Sequence, residues 1–135
     1  MRSFYHRVTI IDIRRPYSDN INAKLQWLGT SLGLFGTRDK DRSCFRIFIG
    51  LLKATKKRIP YSSDQLAADL NLSRGTVVHH LNKLMQAGIV IREKEGYMLR
   101  VDSLTYLIDE VEKDISRMFD NLKAVAKDID EQLRL

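Results

Sequence analysis

The 135-residue chain is 44% apolar and 30% charged, enough to build one hydrophobic core and too apolar for global disorder. One cysteine, Cys44, and three histidines, His6, His79 and His80, exclude an internal disulfide framework and a cysteine-rich zinc site, so neither a metal nor another cofactor is expected. The longest clean apolar run, residues 47–52, is far short of the ~20 residues of a membrane span. With no long apolar segment near the N-terminus either, the expectation is a cytoplasmic protein without a membrane partner.

The net charge of +6 is unevenly placed. Residues 1–102 hold 18 basic and 9 acidic side chains (+9), whereas residues 103–135 hold five basic and eight acidic ones (−3). A basic body with an acidic tail points to a polyanionic partner for the body.

Residues 1–18 read as a weak strand, with Val8, Ile10 and Asp12 alternating, or as an extended arm ended by Arg14-Arg15-Pro16. Asn20 can cap a helix in which Ile21, Leu25, Leu28 and Leu32 recur at helical steps before Gly33 and Gly36 break it. A second helix is expected from about 39–42, with Asp39 and Asp41 at its positive end and Phe45, Phe48, Ile49 and Leu52 on one face. Its cationic exit, Lys53, Lys56, Lys57 and Arg58, completes the helix dipole or contacts phosphate.

Ile59-Pro60-Tyr61 reads as a short extended piece. Ser62 with Gln65 opens a capping box for a brief helix over 63–70, and Asn71-Leu72 turns the chain. Ser73 caps the next helix, in which Val77, Leu81 and Leu84 are apolar and Gly88 lies near the end. Residues 89–91 and 97–101 read as two strands around a turn at 93–96. Two helices joined by a short turn and followed at once by a hairpin describe a winged helix-turn-helix.

The run Ser73-Arg74-Gly75-Thr76-Val77-Val78-His79-His80-Leu81-Asn82-Lys83-Leu84, followed by Ala87-Gly88-Ile89-Val90, resembles the recognition helix and wing start of ArsR-like winged-helix repressors. Asp64 through Leu72 resembles the helix that precedes it in that family. The resemblance covers about residues 59–101 and implies a DNA-binding repressor. Family members that sense metals place thiol or imidazole ligands on particular helices. The last helix here has neither, so metal sensing does not carry over.

Helical geometry at 100° per residue agrees with this reading. Val77, Leu81, Leu84 and Gly88 form one stripe, while Gly75, His79, Asn82 and Gln86 point nearly opposite, with Thr76 and Lys83 on a flank. The candidate DNA-contacting residues are therefore Ser73, Arg74, Gly75, Thr76, His79, Asn82 and Lys83 on a helix over about 73–87 lying in the major groove. Arg92 and Lys94, with Arg100, decorate a wing over about 89–101 and either clamp phosphates or are simply solvated. His80, 60° from the buried centre, reads as a packing residue.

From residue 103 the pattern becomes heptads, capped by Asp102 or Ser103. Leu104, Ile108, Val111, Ile115, Met118, Leu122, Val125 and Ile129 follow alternating steps of 4 and 3. Leu107, Phe119 and Ala126 widen the stripe toward a small bundle. Such a helix needs a partner, either a second subunit or the chain's own first helix or body.

The expected architecture is mainly α with a small β-hairpin. An N-terminal arm and helix of unclear role (1–36) precede a winged helix-turn-helix DNA-binding domain (37–102) and a C-terminal dimerisation helix (103–135). The expected function is a non-enzymatic, sequence-specific transcriptional regulator, a repressor acting as a homodimer on double-stranded DNA. The alternative is a winged-helix protein-interaction module in a larger assembly.

Overall fold

The computed structural model describes residues 6–35 and 42–135. Residues 6–16 form no strand; they run as an extended arm. The arm is pinned by Arg7 N–H donating to the Gln86 carbonyl, Ile11 N–H to the Ser31 carbonyl, and the Trp27 indole to the carbonyls of Ile13 and Arg14. Among the described residues, the alternation of Val8, Ile10 and Asp12 has no neighbouring strand to satisfy it, so the arm reading holds.

Helix α1 (Ile21–Ser31) starts where Asn20 accepts backbone N–H bonds from Asn22 and Ala23. Its last turn meets the body: Leu28 packs against the core and Leu32 and Leu34 enter it, while Ile21 stays exposed. Gly29 allows this approach, since a Cβ there would lie 2.7 Å from the Phe45 ring.

Helix α2 (Ser43–Thr55) is the central element. Asp39 and Asp41, expected at its start, lie outside the described residues. The stripe it buries is Cys44, Ile47, Phe48 and Leu51. The expected face is thus rotated: Phe48 belongs to the core, but Phe45, Ile49 and Leu52 only flank it. The apolar residues of α2 occupy more than half its circumference, and periodicity does not say which half faces inward.

Helix α3 (Ser63–Leu70) is capped by Ser62, which accepts the Gln65 N–H at 3.0 Å. The capping box is only half made, because the Gln65 amide donates to Asp69 instead of reaching back. Asn71, with φ of 55°, ends α3 in the left-handed conformation that asparagine tolerates. Helix α4 (Arg74–Gln86) follows after a turn, and Gly88, with φ of 77°, reverses the chain into the hairpin.

Strand β1 (Val90–Glu93) pairs antiparallel with β2 (Gly96–Leu99), Val90 opposite Leu99 and Glu93 opposite Gly96. The short piece at Tyr61 bonds to Tyr97 in both directions, adding a third edge to the hairpin. Gly96 makes this possible, since a Cβ there would lie 2.6 Å from the Tyr61 carbonyl carbon. The core runs from Leu32 through α2, Leu66, Val77, Leu81 and Leu84 to Ile89, Val90, Leu99 and Leu107. The molecule is mainly helical with a two-stranded wing and a long last helix, the winged helix-turn-helix expected from the element order.

Helix α5 (Leu104–Leu133) is capped by Ser103. Its 30 residues extend for roughly 45 Å at 1.5 Å per residue. Only its first half meets the body. Leu107 is in the core, Leu104 packs against it, and Val111 and Asp114 are buried. That packed line follows steps of 3, 4 and 3, so the unbroken seam from Leu104 to Ile129 is divided: Val111 faces the chain's own body. Beyond it, Phe119, Leu122, Val125, Ile129 and Leu133 are exposed, and every residue from 119 on is solvent-facing. Neither α1 nor the body covers this half.

An ion cluster ties α5 down. Arg100 donates to both oxygens of Asp114, at 2.5 and 3.3 Å, and to Glu110 at 3.5 Å, while Arg117 donates to Asp114 at 2.9 Å. Asp114 is fully buried, and the hydrogen bond from Arg100 holds its carboxyl below the usual carboxylate range against the opposing effect of burial. Arg100 is correspondingly raised by its bond to Asp114. Arg100 therefore does not project from the wing as expected; it turns back onto α5.

Candidate nucleic-acid interface

The interface is built on α4. Val77, Leu81 and Leu84 are fully buried, anchoring one side of the helix against α2 and α3. This fixes the other side outward by helical geometry. Arg74, Gly75, His79, Asn82 and Lys83 are exposed, as is the cap residue Ser73. Nothing lies within 4 Å of a Cβ built on Gly75, so a flat surface could approach the backbone of the first helical turn. Gln86 departs from the expected face: it is half-buried, and its carbonyl accepts the arm's Arg7 N–H at 2.8 Å.

The helix start is locally ordered. Ser73 Oγ accepts the Thr76 N–H at 3.1 Å and shares a 2.8 Å bond with the Thr76 hydroxyl. Both hydroxyls therefore serve the cap first; Thr76 is half-buried and Ser73 remains open to solvent. Arg74 lies 3.4 Å from Asp64 of α3, with both side chains mostly exposed. Surface pairs of this kind are weak in water and exchange readily for a stronger anion such as phosphate.

The two histidines differ. His80 is buried and packs, as its angle on the helix implied, whereas His79 is exposed. Their rings lie 5.3 Å apart at 59°. On the wing, Arg92 and Lys94 are exposed, and Arg92 lies over the Tyr97 ring at 5.8 Å. Glu93 and Glu95 share the same tip, so its charge is mixed rather than uniformly basic. Of the cationic run after α2, Arg58 pairs with Asp102 at the foot of α5, while Lys53, Lys56 and Lys57 stay exposed.

Two features were not found by sequence reasoning. The arm crosses onto α4, where Arg7 and Thr9 share a shallow cleft with His79 and Lys83; an irregular segment carries no periodicity that would place it. The Arg100–Asp114 clamp did leave a trace, because Asp114 follows Leu107 and Val111 on the same helical side, an acid placed on an apolar line.

A body in which a short helix, a turn and an outward-facing second helix are followed by a hairpin is a winged helix-turn-helix. Residues 52–92 match the family described as bacterial regulatory protein, arsR family. The match runs from the end of α2 through α3 and α4 into β1, just under a third of the chain. The body thus carries an ArsR-like helix-turn-helix, a domain of DNA-binding transcription regulators. No curated protein and no solved structure matches the chain at a significant level. Among the described residues, no helix is long and apolar enough to cross a membrane.

Proposed function

We propose that this protein is a sequence-specific, double-stranded DNA-binding transcriptional repressor that acts as a homodimer. Helix α4 enters the major groove, with Arg74, His79 and Asn82 directed at base edges and Ser73, Thr76 and Lys83 at the backbone. Gly75 permits close approach. Arg92 and Lys94 bring the wing to neighbouring phosphates. The carrying observation is the two-sidedness of α4: Val77, Leu81 and Leu84 are sealed in the core, while the opposite side is polar, partly cationic and open.

The second half of α5 supplies the dimer contact. Leu122, Val125 and Ile129, flanked by Phe119, lie along a stretch that the chain's own body leaves uncovered, and the half-buried Ile115 and Met118 lead into it. Two copies packed along this stripe remove it from water and hold two α4 helices on one duplex. Of the heptad positions, Ile108 is at the edge, and Leu104 and Val111 brace the helix against the body.

The same exposed stripe favours a second reading, a winged-helix module that docks onto another protein. Affinity for a random-sequence duplex at two salt concentrations separates the two. A regulator that neutralises several phosphates binds at low salt and loses affinity steeply as salt rises; a docking module shows little binding at either concentration.

A further inference from the structure

We propose that the groove between α2, α3 and residues 59–61, on a face formed without α4, is an effector site for a small amphipathic organic anion, an apolar body carrying a carboxylate. The groove, open to solvent, measures about 750 Å³, within the roughly 300–1,000 Å³ typical of small-ligand pockets. Its apolar surface comes from Phe45, Ile49, Ile59, Pro60 and Leu70, and Ile59 is left 62% exposed at its edge.

Gly50 lies on the groove in the interior of α2, where glycine is less favourable than alanine. Packing does not require it: a Cβ there meets only Leu66 Cδ2, at an ordinary 3.6 Å. What the missing side chain leaves is room in the groove.

The charge around this apolar surface is predominantly positive. Arg46, Lys53 and Lys57 line the groove, and neither lysine has an ion-pair partner among the described residues. The one acid present, Asp69, is already occupied by the Tyr61 hydroxyl and the Gln65 amide. Arg46 already donates to the Leu70 carbonyl, so the two lysines are the cations left open beside the apolar trough, and they fit a ligand with an anionic head and an apolar body. A DNA phosphate would satisfy the cations but leave the apolar surface uncovered.

The walls also connect to the interface. Helix α3 packs directly against α4, so a ligand lodged between α2 and α3 acts on the helix that presents the DNA-contacting face. This effector role rests on the DNA-binding reading; the site itself does not.

Calorimetric titration of the full chain with decanoate, decanol and decylammonium tests the site. Decanoate is expected to bind saturably, one per chain, at least about tenfold more tightly than decanol, the effect of one charge-assisted hydrogen bond. Decylammonium is expected not to bind. Lys53→Gln with Lys57→Gln should remove the preference for decanoate while leaving decanol unaffected. Ala54→Phe, or Gly50→Leu if that variant folds better, should fill the groove and abolish binding of both. The site is overturned if decanol matches decanoate, if no ligand saturates, or if binding survives in a folded groove-filling variant, which would place the ligand on the α5 stripe. It is also overturned if the double lysine variant dissociates a dimer, which would give the groove to the acidic tail of a second copy. Duplex affinity measured with and without decanoate is a separate readout: a change absent from Ala54→Phe supports the effector role, and no change removes that role alone.

Discussion

Arg74 and His79 occupy the same open face of α4, and neither is needed to close the core, so their removal reads the interface without disturbing the fold. Arg74→Ala or His79→Ala is expected to lower affinity for a selected duplex by about 1–3 kcal/mol where the side chain makes a good base contact. Titration of each folded variant checks this, and unchanged affinity for both would remove the assignment. Asp114 is the opposite kind of residue, fully buried and held by Arg100 and Arg117. Asp114→Ala leaves Arg100 without its main partner and is expected to cost about 3 kcal/mol, the lower end for breaking a buried pair because Arg100 keeps partial solvent access. The pair also sets a pH dependence. The folded carboxyl titrates below its ordinary value of 3.8. The stabilisation is therefore complete above about pH 5 and is lost as pH falls through the folded value. Urea unfolding at pH 7 and pH 3 is expected to show a drop in the native protein that is smaller in the Asp114→Ala variant.

Among the elements, α3 and α4 were the most legible in the sequence. Their caps, Ser62 and Ser73, and the turn at Asn71 are local signals, and each fixes a boundary within one residue. The outward face of α4 was legible for the same reason, since a narrow apolar line of Val77, Leu81 and Leu84 defines its opposite. Helix α2 was not oriented correctly, because apolar residues surround much of it and only the neighbouring elements decide which are buried. The groove escaped notice altogether: it is made by three separated segments, and no spacing in the chain brings Ile59 to Phe45. The wing was legible as a hairpin but not in its charge role, because nothing in the hairpin's own pattern turns Arg100 back onto Asp114, even though Asp114 stands out on the apolar line of α5. Arg92 and Lys94 remain its outward cations. Changing both to Gln is expected to lower affinity for all duplexes alike and to flatten the salt dependence by about one to two phosphate contacts. An unchanged slope in a salt titration would show that the wing does not touch the backbone.

At the level of the whole molecule, the proposed function gives DNA contact to the basic body and assembly to the acidic, half-uncovered helix. The heptad pattern announced the long helix but not its division, since an apolar position facing the chain's own core and one facing a partner look alike in sequence. The division gives a cleaner test than disrupting the middle of the seam. Leu122 is 63% exposed within one chain, so Leu122→Asp costs a monomer only the lower helix propensity of Asp but would place a charge in the proposed dimer contact, where it is costly to desolvate. Light scattering is expected to show a dimer for the native chain and a folded monomer for the variant, with DNA affinity falling because two half-sites are no longer held together. A native monomer at high micromolar concentration would contradict the assembly. The most direct test of the account is selection of bound sequences from a random duplex pool. The account predicts enrichment of one motif repeated in twofold-related half-sites about one helical turn, ~34 Å, or a multiple of it apart. A pool that stays random after repeated rounds would contradict sequence-specific recognition by α4.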